Sequence, residues 1–324
     1  MRASSYIAFM RVLIVGCGYV GLCLGRELAG QGHEVYGLRR SPAGEAELLP
    51  AGIKPLYGDV SQPADLARLP GAFDWVVNTV AAGQGGVDDY RRTYLEGTAH
   101  LIAWLQTQPP QKFIYTSSTG VYGQDDGSGV DEQSATAPAS DTSQVLVQTE
   151  LRLLEAAQSG RFPAVILRVA GIYGPNRGYW LRQFLQPNAR LRRPGDRFMN
   201  MIHRDDLAAI LVAALQQGRP GEIYNAVDDE PVRQLVFFQW LAAALNRPLP
   251  PFAPPTDRPE FNRAATNKKV LNHKLKTEFG YRFRYPTFRE GYRAEIQRLG
   301  TAGMPGPSGE PVRGMPAGKG GRAD

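Results

Sequence analysis

Residues 10–40, MRVLIVGCGYVGLCLGRELAGQGHEVYGLRR, constrain this chain more than any other stretch. Arg11 to Val15 is a short, apolar, β-branched run that reads as a buried strand, and it leads directly into Gly16-Cys17-Gly18-Tyr19-Val20-Gly21. Leu22 to Gln31 then repeats apolar residues at helical spacing, Gly32 stops it, and Glu34 to Leu38 reads as a second strand. Strand, G-x-G-x-x-G turn, helix, strand is the dinucleotide-binding arrangement. Gly16 permits the tight turn, Gly18 lets a pyrophosphate approach the backbone, and Gly21 allows close packing of helix on strand. The first N–H groups of the helix, those of Tyr19 and Val20, face the phosphates.

The end of the second strand selects the cofactor. An acid there would hydrogen-bond the adenosine ribose, whereas this chain has Arg39 and Arg40, which suit a 2′-phosphate. NADP is therefore expected in preference to NAD. Farther on, Ile53 to Tyr57 reads as a third strand ending in Gly58-Asp59-Val60, where Asp59 can serve the adenine amino group or simply form a turn. Phe73 to Val80 reads as a fourth strand, followed by the small residues Ala81 and Ala82 that let backbone lie against a cofactor. Asp89 to Gln106 reads as one long helix and Lys112 to Ser117 as the next strand. The repeated β-α alternation predicts a Rossmann-type, doubly wound parallel α/β sheet.

That strand ends in Thr116-Ser117-Ser118-Thr119-Gly120-Val121-Tyr122-Gly123, and three further segments follow in order: Leu167-Arg168-Val169-Ala170-Gly171-Ile172-Tyr173-Gly174-Pro175, Ile202-His203-Arg204-Asp205-Asp206-Leu207-Ala208 and Tyr224-Asn225-Ala226-Val227-Asp228-Asp229. Over roughly residues 10–298 this series resembles the extended short-chain dehydrogenases/reductases, the NAD-dependent epimerase/dehydratase superfamily. It is most similar to their atypical, YeeZ-like subgroup.

The resemblance implies a catalytic Tyr-x-x-x-Lys pair on one helix face, the lysine lowering the tyrosine pKa for proton exchange with substrate. Counted back from Glu150, the acid that follows that lysine by four residues, the two positions hold Thr142 and Leu146, and no Tyr-x-x-x-Lys occurs anywhere in the chain. Ser118 matches the serine that polarises the substrate oxygen and is the one catalytic candidate; a backbone-satisfying hydroxyl is its plain alternative. Tyr122 is expected to pack. The arginine that precedes the histidine by four residues in nucleotide-sugar enzymes is Met199 here. Two functions stay open: an NADP-dependent oxidoreductase or epimerase-like enzyme acting on a small polar, sugar-type metabolite with non-standard acid/base groups, or a non-catalytic NADP-binding redox sensor or interaction protein.

Residues 171–300 are expected to form a smaller substrate lobe interleaved with the sheet of residues 10–170. Residues 178–197 read as an arginine-rich loop; Arg177, Arg182, Arg190, Arg192, Arg193 and Arg197 can clamp an anion or remain solvated. His203 reads as a packing histidine, Asp206 as an acid at a helix N-terminus, and Lys268, Lys269, Lys274 and Lys276 as an anion site or a solvated helix face. A proline-rich linker is expected over 248–259, and disordered segments over 1–9 and the Gly/Pro-rich 301–324, with Met10 as the native start. Among 324 residues there are two cysteines, Cys17 and Cys23, and four scattered histidines, so neither a disulfide framework nor a metal site is expected. The net charge of +6 is spread along the chain and does not point to nucleic acid. No signal peptide or membrane span is read, which gives a cytoplasmic protein with a homodimer as the family-level expectation.

Overall fold

The computed structural model describes residues 9–83, 85–160, 162–191, 196–253 and 266–302. Seven strands form the main sheet: β1 (Arg11–Val15), β2 (Glu34–Arg39), β3 (Ile53–Tyr57), β4 (Trp75–Asn78), β5 (Lys112–Ser118), β6 (Ala164–Val169) and β7 (Ile223–Ala226). Their spatial order is β3-β2-β1-β4-β5-β6-β7 and every neighbouring pair is parallel. The direction of winding reverses between β1 and β4, the point at which such sheets open a ligand crevice beyond the carboxyl ends of the strands.

β1 can be apolar from Val12 to Val15 because both faces of the sheet are covered there. Val12 and Ile14 join Leu24 and Leu28 of the helix Tyr19–Gly30 and Leu211 of the helix Arg204–Gln217 on one face. Leu13 and Val15 join Leu101 of the helix Gly97–Leu105 and Leu153 of the helix Asp141–Gln158 on the other. The helix Arg204–Gln217 has almost no polar face, as its sequence suggests, since it packs against both the helix Tyr19–Gly30 and the sheet. A separate aromatic core of Tyr173, Phe184, Phe237, Phe288 and Tyr292 holds the later part of the chain.

Three local departures from the sequence reading have physical causes. The β4 ladder ends at Asn78 rather than Val80, because Asn78 Oδ1 accepts the Val80 N–H and the Thr79 hydroxyl turns back onto the Val15 and Gly16 carbonyls. The helix expected over 89–106 starts at Val87 and is interrupted by a widened π segment, Arg91–Glu96, before resuming at Gly97. Within the stretch expected to be loop, Tyr179–Leu185 is helical, anchored by buried Leu181 and Phe184. Of the segments expected to be disordered, 1–9 and 301–324, residues 1–8 and 303–324 lie outside the described residues, while residues 301 and 302 close the helix Phe288–Ala302; of the proline-rich linker expected over 248–259, residues 254–259 lie outside them.

Candidate functional site

The three glycines are required by three different neighbours. Gly16 has φ +79°, and a Cβ there would sit 2.8 Å from Val80 N and Cα, because the chain leaving β4 passes directly beside the turn. At Gly21 a Cβ would lie 2.9 Å from Ile14 Cγ2 and 3.1 Å from the Gly16 carbonyl, so helix and strand could not pack as they do. A Cβ on Gly18 would meet nothing closer than the Gly16 carbonyl at 3.8 Å, which leaves that side of the turn open. The N–H groups of Tyr19, Val20 and Gly21, in the first turn of the helix, have no acceptor within it. Cys17 is packed against Gly37, and burial pushes its thiol up to about 12, which suits packing and not reactivity.

Arg39, the last residue of β2, folds over this turn: its Nε donates to the Cys17 carbonyl at 2.5 Å and its Nη2 pairs with Glu47 at 3.1 Å. Arg40 is exposed, with its guanidinium against Gly83 beyond β4. Asp59 Oδ1 accepts the Ser61 N–H at 2.8 Å, the turn-forming use allowed for it, while its second oxygen stays available.

On the other side of the crevice, three strand ends converge. Ala82 beyond β4, Val121 beyond β5 and Ala170 beyond β6 share an apolar cluster with Tyr90, Tyr94, Tyr122, Val145 and Leu146. Leu146 is therefore a core residue of the crevice floor. Thr142 lies one turn earlier, its hydroxyl 3.4 Å from Ser140 Oγ. Ser118 Oγ accepts the Gly120 N–H at 3.0 Å and caps the short turn Thr119–Val121, so its backbone role is filled while its own O–H remains a donor. Ala82 N donates to the Tyr94 hydroxyl at 3.1 Å, a relationship the sequence reading did not find.

Behind this floor runs a buried ionic network. Arg168 on β6 meets the Glu150 carboxylate, with Nη2 at 2.8 Å from Oε2 and Nε near both oxygens; Ser117 Oγ donates to Oε1 at 2.5 Å. Arg168 Nη1 also donates to the Tyr122 hydroxyl at 2.9 Å, which in turn donates to Asn225 Oδ1 at 2.8 Å. Tyr122 thus packs as expected, and burial raises its phenol. The network fixes the register of the helix Asp141–Gln158 on the sheet, and with it the positions of Thr142 and Leu146.

The remaining candidates are mostly structural. His203 Nδ1 accepts the Asp205 N–H at 3.2 Å and its ring lies 3.9 Å from that of Tyr285. Asp206 is buried and accepts from the Tyr281 hydroxyl and from the Arg284 and Tyr285 N–H groups. Arg177 lies 5.1 Å from the Tyr19 ring at the mouth of the glycine turn, while Arg182, Arg190 and Arg197 are exposed and Arg192 and Arg193 lie outside the described residues. Lys268 fits neither reading offered for it: it is buried, with Nζ donating to the Tyr122 carbonyl at 2.9 Å and to Thr266 Oγ1 at 2.7 Å, and burial lowers it to about 8. Among the described residues no three His, Cys, Asp or Glu side chains gather to hold a metal, and no helix is long and apolar enough to cross a membrane.

The NAD dependent epimerase/dehydratase family profile matches residues 12–226, which include the glycine turn, the crevice floor and the ionic network. The chain belongs to the NAD-dependent epimerase/dehydratase family. It is 26% identical to protein YeeZ of Escherichia coli K12 over 283 residues, covering 85% of this chain and 96% of YeeZ. A solved structure of a conserved protein of unknown function from Silicibacter pomeroyi is 29% identical, with a TM-score of 0.73 over 89% of this chain and 99% of that one. The dTDP-glucose 4,6-dehydratase DesIV of Streptomyces venezuelae, solved with NAD and TYD, shares the fold at 21% identity, with a TM-score of 0.76 over 90% and 97% of the two chains. Family membership and the glycine cradle together support a nicotinamide dinucleotide cofactor. The open side of the turn at Gly18 and the N–H groups of Tyr19 and Val20, which have no acceptor within the helix, are compatible with a pyrophosphate there.

Proposed function

We propose that this family member binds NADP and acts as an oxidoreductase or epimerase-like enzyme on a small polar metabolite in the cytoplasm. The observation that carries the cofactor preference is Arg39. Its guanidinium is anchored at Nε on the Cys17 carbonyl, immediately beside the adenosine end of the cradle, and its second partner, Glu47, is 63% exposed. An exposed ion pair is worth only about 0–1 kcal/mol, so a ribose 2′-phosphate can displace Glu47 and take a bidentate hold on Arg39. Arg40 adds positive charge at the same rim.

The bound cofactor supplies a hydride. The chain's own residues orient the partner of that hydride: the Ser118 hydroxyl can donate to a substrate oxygen, Ala81 and Ala82 leave room for flat groups, and the apolar floor around Leu146 keeps water out. A redox sensor without turnover is the second reading, and Leu146 favours it, because an apolar side chain in the lysine position cannot lower any neighbouring pKa. Binding titrations with NADPH and NADH test the cofactor reading. Sustained hydride transfer to any metabolite sinks the sensor.

A further inference from the structure

We propose that Arg177 and Arg204, both held over the ring of Tyr19, supply the positive charge that binds the cofactor's pyrophosphate at the glycine turn. The inference rests on the cofactor reading and adds to it two side chains from far along the chain. Tyr19 opens the helix Tyr19–Gly30, and its N–H is one of the donors with no acceptor in that helix. The Cα–Cβ bonds of a helix tilt toward its N-terminus, so the Tyr19 side chain leans toward the turn that precedes it. The guanidinium carbon of Arg177 lies 5.1 Å from the centroid of that ring, and that of Arg204 lies 5.0 Å from it. Burial pushes the Tyr19 phenol up to about 12, so the ring stays neutral and neutralises neither cation.

The backbone fixes where both arginines stand. Gly174 and Arg177 exchange two backbone hydrogen bonds of 2.9 Å across the Pro175-Asn176 turn, with Asn176 at φ +61°. A Cβ on Gly174 would lie 3.1 Å from Tyr19 Oη, 3.2 Å from His203 Nε2 and 3.3 Å from Arg204 Cβ. This turn, the start of the helix Arg204–Gln217 and the first residue of the cradle helix therefore meet at one point. Asp205 orients Arg204, its Oδ1 accepting from Nε at 2.9 Å and from Nη2 at 2.8 Å, and Nη1 is left to donate elsewhere. Glu295, the other carboxylate acting on Tyr19, is paired with Arg298. Arg177 is exposed and forms no ion pair among the described residues, so its charge at the rim of the turn is uncompensated. A pyrophosphate brings negative charge that N–H groups solvate without neutralising, and a guanidinium fork matches two of its oxygens. The competing use of Arg177 is a solvated cation stacked on a tyrosine.

The test is calorimetric titration of the full chain, of Arg177→Gln and of Arg204→Lys with NADPH and with NADH. Both nucleotides carry the pyrophosphate, so Arg177→Gln should weaken both by the same factor, about five- to tenfold, with its unfolding midpoint unchanged. Arg204→Lys can still pair with Asp205 but loses the fork, and it should also weaken both nucleotides equally. A charge contact is screened by salt, so the affinity of Arg177→Gln should fall less steeply with added potassium chloride than that of the unmodified chain. A loss of mere packing would leave that slope unaltered. Arg177→Lys should recover part of the affinity and the salt slope. Unchanged affinity for both nucleotides in either arginine variant overturns the role of that arginine and leaves the cofactor reading standing. Weakening of NADPH alone assigns the arginine to the 2′-phosphate and overturns the pyrophosphate contact. Absence of nucleotide binding by the unmodified chain overturns both the contact and the cofactor reading.

Discussion

Arg168 and Glu150 meet at 2.8 Å with side chains only 5% and 3% exposed, joining β6 to the helix that carries the Thr142 and Leu146 positions. Removing one partner leaves the other charge buried without compensation, which costs about 3–5 kcal/mol. Glu150→Ala should therefore lower unfolding stability in urea by that amount, and Glu150→Gln by less, since the amide still accepts from Ser117. A loss below about 1 kcal/mol for Glu150→Ala would show that the pair does not hold the helix.

Gly16 and Gly18 should separate folding from binding. Gly16→Ala sets a Cβ against Val80 at a positive φ and should cost about 1–3 kcal/mol of stability, measured by thermal or urea denaturation. A Cβ on Gly18 meets open space, so Gly18→Ala should lose about 1 kcal/mol or less while weakening NADPH binding at least tenfold. Equal affinity in Gly18→Ala and the unmodified chain would move the pyrophosphate elsewhere.

Arg39→Asp should shift preference from NADPH towards NADH by an order of magnitude or more, because the bidentate phosphate contact becomes a repulsion. Glu47→Gln should leave NADPH binding unchanged or modestly tighter, as the exposed competitor is neutralised. Calorimetry on both variants decides; an unchanged NADPH to NADH ratio in Arg39→Asp would place the adenosine end away from β2.

Lys268 gives the stability a pH dependence of known sign. Its folded pKa of about 8 lies below the unfolded value near 10.4, so between those values the unfolded chain binds more protons and stability rises with pH. Below about pH 8 the ammonium is buried and charged, and the folded state carries the whole penalty, a few kcal/mol at 1.36 kcal/mol per unit. Lys268→Met removes the titrating group. The stability difference between the unmodified chain and Lys268→Met should change steadily between pH 8 and 10, and a flat difference would mean that the Lys268 ammonium is solvated.

The parts legible in the sequence are those whose contacts are local or fixed by a spacing. The glycine turn and Arg39 belong to one strand-turn-helix-strand unit, and Glu150 dates the helix well enough to identify Thr142 and Leu146. Lys268 was illegible because the atoms that bury it, the Tyr122 carbonyl among them, come from 146 residues away. Tyr94 was hidden for another reason. A π segment has the composition of an ordinary helix, yet the added residue rotates everything before it, and only the fold reveals that the phenol faces Ala82. Tyr179–Leu185 was illegible because a seven-residue helix shows only two buried anchors, Leu181 and Phe184, too few to set an apolar period.

The central claim, that the cradle formed by Gly16, Gly18, Gly21 and Arg39 holds NADP, is tested most directly by equilibrium titration of the full chain with NADPH, NADP⁺ and NADH, followed by fluorescence or calorimetry. The account predicts micromolar binding of the two phosphorylated nucleotides and at least tenfold weaker binding of NADH. Binding of NADH as tight as NADPH would contradict the role of Arg39, and no binding of any of the three would contradict the cofactor site itself.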